Sequence, residues 1–180
     1  MCGRYEFALS PSKKGRQIKE RAEKMNLVFK QGEVFPSDEV LCMIPYGSKI
    51  DLAVKKWGIK NKSLQINARV ESLEDRPSYE AMRNKRCAVI CNGFYEWDQD
   101  KKKYYVHDDE EFIYLACIFN DEDELLILTQ ASEGEFAKIH SRTPVIMDQK
   151  EMLRYIHNEK GDIVKKKLFF ELKDDELKLF

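Results

Sequence analysis

The sequence predicts an α+β chain folded as one compact domain, with a mostly antiparallel, barrel-like sheet core and several flanking helices. Three observations predict it. Short apolar segments, several of them alternating, recur along most of the chain and are divided by charged turns. Only a few segments carry helical spacing. No composition break, Gly/Ser linker or internal repeat divides residues 1–180.

The elements follow in order. Residues 3–8 alternate and read as a short strand. Ser10-Pro11 reads as a helix start, with Ser10 as N-cap and Pro11 at the first helical position. Ile18, Ala22, Met25 and Phe29 continue the apolar stripe of that helix, and its basic residues read as a solvated face. Pro36-Ser37 marks a loop. Val40–Tyr46 and Leu52–Trp57 read as strands joined at a Gly47-Ser48 turn. Leu64–Ile66 is short and apolar and delivers Asn67. Pro77 to Lys85 reads as a helix. Cys87–Cys91, Phe94–Trp97, Lys103–His107, Phe112–Phe119 and Leu125–Thr129 read as strands. Glu133–Ile139 and Gln149–His157 read as helices, and Ile163–Phe180 as a final strand and tail.

Composition bounds the class. Hydrophobic residues make up 43% of the chain, with 10 Phe and 8 Tyr, enough for a folded core. No apolar run approaches the ~18 residues that span a bilayer, and no apolar stretch follows the first charges as in a signal peptide. A cytoplasmic protein is expected, its 5 cysteines reduced thiols. The net charge of −1 excludes a general nucleic-acid coat but permits a local arginine cluster. Cys87 and Cys91 fall on one face of a strand and read as core, and histidine is scarce, so no metal is expected. Neither a GxxxxGK phosphate loop nor a GxSxG elbow is present.

The chain opens Met1-Cys2-Gly3-Arg4. A small residue at position 2 permits removal of Met1, which would leave Cys2 with a free amine and a thiol. Their reference pKa values are about 7.7–8.0 and about 8.5, so both are available near neutral pH. Such a 1,2-aminothiol condenses with an aldehyde to a Schiff base and then closes a thiazolidine ring. The alternative is an arbitrary terminal residue.

Three internal segments are unusually polar for their surroundings: Ile66–Ser72 with Arg76-Pro77 beyond, Cys91–Trp97, and Ile139–Val145. Glu96, flanked by Phe94, Tyr95 and Trp97, is either a desolvated carboxylate suited to proton transfer or a strand-end glutamate paired with an arginine. His140 is either a proton carrier or a hydrogen-bonded structural histidine. Asn67 either holds the Cys2 amine or a substrate oxygen, or caps a turn. Arg4, Arg69, Arg76 and Arg142 are phosphate-binding candidates, with surface ion pairing as the alternative. Trp57 either stacks on a base or sugar or belongs to the core.

Taken in order, Met-Cys-Gly-Arg, Asn67-Ala68-Arg69-x-Glu71, Gly93-Phe94-Tyr95-Glu96-Trp97 and Ile139-His140-x-Arg142-x-Pro144 resemble the SOS-response-associated peptidase (SRAP) family. The resemblance implies a compact mixed fold with a positively charged cleft and a covalent thiazolidine crosslink to abasic sites in single-stranded DNA. It implies Cys2 as nucleophile, Asn67 positioning its amine, Glu96 as acid–base group, and His140 assisting Schiff-base formation and crosslink reversal. Arg4, Arg69, Arg142 and, at a shortened spacing, Arg76 match phosphate-binding positions. Trp57 matches a Trp-Gly near the bound strand, and Pro36 a loop at the cleft wall. Ser141 and Thr143 depart from the residues usual in the family, and the motifs lie closer together.

The expected function is therefore abasic-site recognition and DNA–protein crosslinking in the DNA damage response. It requires no cofactor. The partner is single-stranded DNA containing abasic sites, with replication-fork proteins as further partners. The protein is expected to act as a monomer, away from membranes and at the nucleoid when on DNA. Two alternatives stand beside it: a cysteine peptidase with Cys2 as nucleophile and His140 as base, self-removal of Met1 included, and a non-covalent reader of modified DNA bases through Trp57 and the arginines.

Overall fold

A computed structural model describes residues 2–159 and 168–173 of the chain. Its elements are β1 (Arg4–Phe7), α1 (Lys13–Lys24), β2 (Gly32–Val34), β3 (Glu39–Tyr46), β4 (Lys49–Trp57), β5 (Ile59–Lys60), β6 (Leu64–Gln65), β7 (Asn67–Arg69), β8 (Arg86–Cys91), β9 (Gly93–Trp97), β10 (Lys103–His107), β11 (Ile113–Phe119), β12 (Glu124–Ala131), β13 (Arg142–Pro144), β14 (Ile146–Met147), α2 (Gln149–Ile156) and β15 (Phe169–Lys173). Single 3₁₀ turns occupy Val70–Ser72, Pro77–Tyr79 and Gly134–Lys138.

Two sheets hold the site between them. One has the order β15-β10-β9-β1-β2; the other runs β13-β12-β4-β3-β8-β11-β14, with β7 added to β12. A further β12–β11 pairing links the second sheet into a ring. The ring meets at β12–β4 over only the Glu124↔Lys56 and Leu125↔Trp57 pairs, and it is not a clear barrel. Pairing is antiparallel throughout except for β12 with β4 and with β7. The α+β class and the antiparallel majority are thus as the sequence predicts.

The core lies between the sheets. Its largest fully buried side chains include Trp57, Tyr5, Tyr114, Phe7, Phe94 and Phe112. Tyr5 of the first sheet and Trp57 of the second meet at 5.3 Å between ring centroids. All five cysteines are buried and none is disulfide-bonded. Among the described residues no helix is long and apolar enough to cross a membrane, and no group of metal-ligating side chains gathers.

Several boundaries differ from the sequence reading. The N-cap of α1 is Ser12, whose hydroxyl accepts the Gly15 N–H at 2.9 Å. The Ser10 hydroxyl instead accepts the Ser12 N–H, so Ser10 and Pro11 shape the approach to the helix. Ile18 and Ala22 form its buried stripe as expected. The segments from Pro77 and from Glu133 form 3₁₀ turns rather than α-helices. Each is anchored by apolar residues three apart, Tyr79 with Met82 and Phe136 with Ile139, a spacing that the tighter helix satisfies. The strand expected in Ile163–Phe180 is β15; the rest of that stretch, and Met1, lie outside the described residues.

Candidate active site

Cys2 lies two residues before the start of β1, and Arg4 pairs opposite Tyr95 of β9. This register brings the start of the chain alongside Glu96. Within β9, Phe94 and Glu96 face inward while Tyr95 and Trp97 face outward, as strand alternation requires. Glu96 is 2% exposed.

The other two candidates arrive from the second sheet. Strand β12 carries β7 on one side, with Asn67 opposite Ile127, and β13 on the other, with Arg142 opposite Ala131. Asn67 donates from Nδ2 to the Cys2 carbonyl at 2.9 Å. Among the described residues its Oδ1 is buried without a hydrogen-bond partner. A buried amide oxygen in that state is costly, and it is an acceptor in waiting beside the Cys2 backbone.

His140 is held by its own turn. Its N–H donates to the Phe136 carbonyl at 3.0 Å, and the Phe136 ring packs edge-on against Phe94 at 5.9 Å, two residues before Glu96. The imidazole Nδ1 stands 3.3 Å from Glu96 Oε1. It also lies 3.0 Å from both the N–H and the carbonyl of Arg142. Unprotonated, Nδ1 accepts that N–H; protonated, it donates to the carbonyl or to Glu96. A ring satisfied in either state suits proton transfer.

The Cys2 thiol is fully buried. Burial, and then the negative charge of Glu96, push its pKa up to about 12, against lesser opposing effects from the Arg4 carbonyl and the terminal amine. With Met1 attached it is a thiol at neutral pH.

Two residues carried by motifs need correction. Trp57 is 0% exposed, and its Nε1 donates to the Ile66 carbonyl at 3.0 Å. It cannot stack on a base; it is a core pillar that fixes the residue before Asn67. Gly58, at φ +109, turns the chain where a Cβ would lie 2.9 Å from Leu64, which accounts for the Trp-Gly pair. Arg142 is largely internal, its side chain 12% exposed. The guanidinium donates to both oxygens of Glu71, at 3.1 Å from Nη2 to Oε2, and to the Thr129 carbonyl at 2.6 Å. It clasps the Asn67 segment to the His140 segment across β12.

The remaining candidates lie at the surface, two of them only partly exposed. Arg69 and Arg76 are exposed, and Pro36 is half-buried in the β2–β3 loop. Arg4 pairs with Glu33 at 3.2 Å and sits over the rings of Phe35 at 4.5 Å and Trp97 at 5.1 Å. Phe35 is 41% exposed. Sequence reasoning passed over Glu71, Phe35 and Trp97. Glu71 stands within the Asn-Ala-Arg-x-Glu motif, and strand alternation about Glu96 puts Trp97 on the outer face, so both had a signal.

The clasp gives a direct test. Glu71→Ala leaves the Arg142 charge with one fewer partner. Because Glu71 is 55% exposed, the expected loss is only about 1 kcal/mol, or about 2–4 °C in melting temperature. An unchanged melt would show that the clasp contributes nothing.

A model of the family described as SOS response associated peptidase (SRAP) matches residues 1–180. Among curated relatives, the abasic site processing protein YobE of Bacillus subtilis is 36% identical over 73 residues, 36% of this chain and 33% of that protein. The abasic site processing protein YMR114C of Saccharomyces cerevisiae is 28% identical over 93 residues, 46% of this chain and 25% of that protein. The matched stretch thus spans a third or less of the length of these relatives. A solved protein from Bordetella bronchiseptica shares the fold with a TM-score of 0.73 at 13% identity, over 96% of this chain and 100% of that one. A protein from Bacteroides thetaiotaomicron does so with a TM-score of 0.68 at 20% identity, over 86% and 81%. From Cys2 through His140 to the last strand, the chain belongs to the SOS response associated peptidase (SRAP) family.

Proposed function

We propose that the chain processes abasic sites in single-stranded DNA by forming a covalent thiazolidine with Cys2 once Met1 is removed. The observation that carries this reading is the meeting of Cys2 and Asn67 with buried Glu96 and half-buried His140. The names of the curated relatives support the substrate.

The chemistry uses the chain's own residues. The abasic deoxyribose opens to its aldehyde, with Glu96 and His140 moving the proton between ring oxygen and hydroxyl. The Cys2 amine, accepted by the idle Oδ1 of Asn67, adds to C1′, and loss of one water gives the imine. The Cys2 S–H then adds across the C=N bond: sulfur bonds to C1′ and the proton ends on nitrogen. Aldehyde and aminothiol become thiazolidine and water, with no oxidant, reductant or metal. Amine and thiol belong to one residue, so ring closure is effectively unimolecular.

The solvent-facing arginines Arg4, Arg69 and Arg76 contact phosphates, which position the strand without reading its sequence. Phe35 and Trp97, flanking Arg4, supply the aromatic surface that Trp57 does not. A peptidase would use the Cys2 thiol without its amine, whereas the thiazolidine needs both.

The test is a denaturing gel with intact-mass analysis after mixing the protein with single-stranded DNA carrying one abasic site. A heat-stable shifted species, absent with undamaged DNA and with a mass equal to DNA plus Cys2-started protein minus one water, is expected. No such species from protein proven to begin at Cys2 would overturn the reading. Glu96→Gln is expected to slow its formation about a hundredfold while leaving DNA binding intact; parallel loss of both would mean that Glu96 is structural.

A further inference from the structure

Outside the site, the outward face of the five-stranded sheet carries a feature that the chemistry at Cys2 does not use. Strand alternation on β9, β10 and β15 points Tyr95, Tyr105, His107 and Phe169 to the same side. Tyr95 and Tyr105 are directly cross-strand, and so are His107 and Phe169. Their rings form a continuous row: Tyr95 to Tyr105 at 5.2 Å, Tyr105 to His107 at 5.5 Å and 26° between planes, His107 to Phe169 at 5.7 Å and 23°.

Lysines interleave with the rings. Lys103 Nζ lies 4.1 Å from the centre of Tyr95, and Lys173 Nζ 5.3 Å from that of Tyr105. The row begins beside Arg4 and Trp97, on the face of β9 opposite Glu96, because Tyr95 pairs opposite Arg4 and Lys103 opposite Trp97. Residue 93 must be glycine for this arrangement, since a Cβ there would lie 2.6 Å from the Tyr105 ring and from the Val106 carbonyl. Helix α2 packs on β8, β11 and β3 of the other sheet, and α1 is tied to β4 through Arg21 and Asp51. Phe169 is 37% exposed and Tyr95, Tyr105 and His107 are half-buried, so solvent reaches the row.

We propose that the row is a base-stacking track for the single-stranded flank of the DNA whose abasic sugar meets Cys2. The inference rests on the function proposed above and extends it from the lesion to the neighbouring nucleotides. From β1 to β15 the face spans three strand spacings, roughly 14 Å. Aromatic rings with interleaved cations on a sheet face suit unpaired bases of any sequence, because every base presents a π-face. The carboxylates on this face are paired internally: Glu33 with Arg4 and Lys103, and Glu171 with His107 and Lys173. Glu6 accepts the Tyr95 hydroxyl at 3.2 Å. With these charges balanced, stacking dominates over phosphate attraction, and the salt dependence of the track's contribution is shallow.

The test compares undamaged and abasic oligothymidine strands of about four and about sixteen nucleotides, which bracket one sheet-based single-strand site. Binding is read by fluorescence anisotropy and crosslinking by gel. Tyr105→Ala and His107→Ala are each expected to weaken long-strand binding about tenfold, with Tyr105→Phe like the wild type and the crosslinking rate on the short strand unchanged. Melting curves establish that the variants are folded, and His107→Ala, at a half-buried position, is a second route should Tyr105→Ala destabilise the sheet. Long-strand binding unchanged in folded variants would overturn the track. So would a change of oligomeric state in light scattering without loss of DNA binding, which would assign the face to a second copy of the chain. Wild-type protein that binds the long strand through these rings but never crosslinks it would overturn the chemistry at Cys2 instead.

Discussion

Cys2→Ala is expected to yield no heat-stable DNA–protein species at all. The variant keeps an N-terminal amine, so it can still form an imine with the open sugar. An imine hydrolyses on denaturation, whereas the thiazolidine persists because the sulfur has removed the C=N bond. The effect should therefore be loss of the stable product rather than a slower approach to it. Protein that retains Met1 should fail in the complementary way, with its thiol present and its amine in a peptide bond. A peptidase would need the thiol alone, so the two variants together separate the readings. Cys2 is buried and makes only a weak thiol contact, 3.8 Å to the Arg4 carbonyl, so the alanine variant should fold. A normal yield of stable crosslink from folded Cys2→Ala would sink the mechanism.

Trp57→Ala is expected to cost about 3–5 kcal/mol of folding stability, a large share of the 5–15 kcal/mol typical of a domain. The indole fills the space between the sheets against Tyr5 and bonds the Ile66 carbonyl. Its removal opens a cavity and leaves that carbonyl without its donor. At about 2–4 °C per kcal/mol, the melting temperature should fall by about 10 °C, with a matching shift in the denaturant midpoint. A base-stacking tryptophan would behave differently, losing DNA affinity with little change in the melt. That outcome would return Trp57 to the DNA surface.

Much of the fold was legible from local pattern. The β3–β4 hairpin with its Gly47-Ser48 turn, and the run of strands from β8 to β12, follow from apolar periodicity and turn residues that act over a few positions. The α1 start was misplaced by two residues because Ser10 and Ser12 are chemically equivalent caps. Glu111 does not separate them, since both hydroxyls donate to it; they differ in what they accept, Ser12 taking the Gly15 N–H of the helix and Ser10 only the Ser12 N–H. The 3₁₀ turns were read as helices because two apolar anchors three residues apart fit either form. Strand β2 was missed because Gly32–Val34 is too short to show a period.

The candidate site divides the same way. The sequence by itself determined the class of fold and the reactive groups, since a thiol at position 2 and a carboxylate, an amide and an imidazole in apolar settings are properties of single residues and their neighbours. Only the tertiary structure decided which side chains face which way across the chain. It put Trp57 inside, joined Glu71 to Arg142, and set the carbonyl of Cys2 on Asn67. These choices depend on the register of β1 on β9 and on β12 carrying β7 and β13 on its two edges. Pairings between residues tens of positions apart are set by how the whole core packs, and no local window of sequence contains that information.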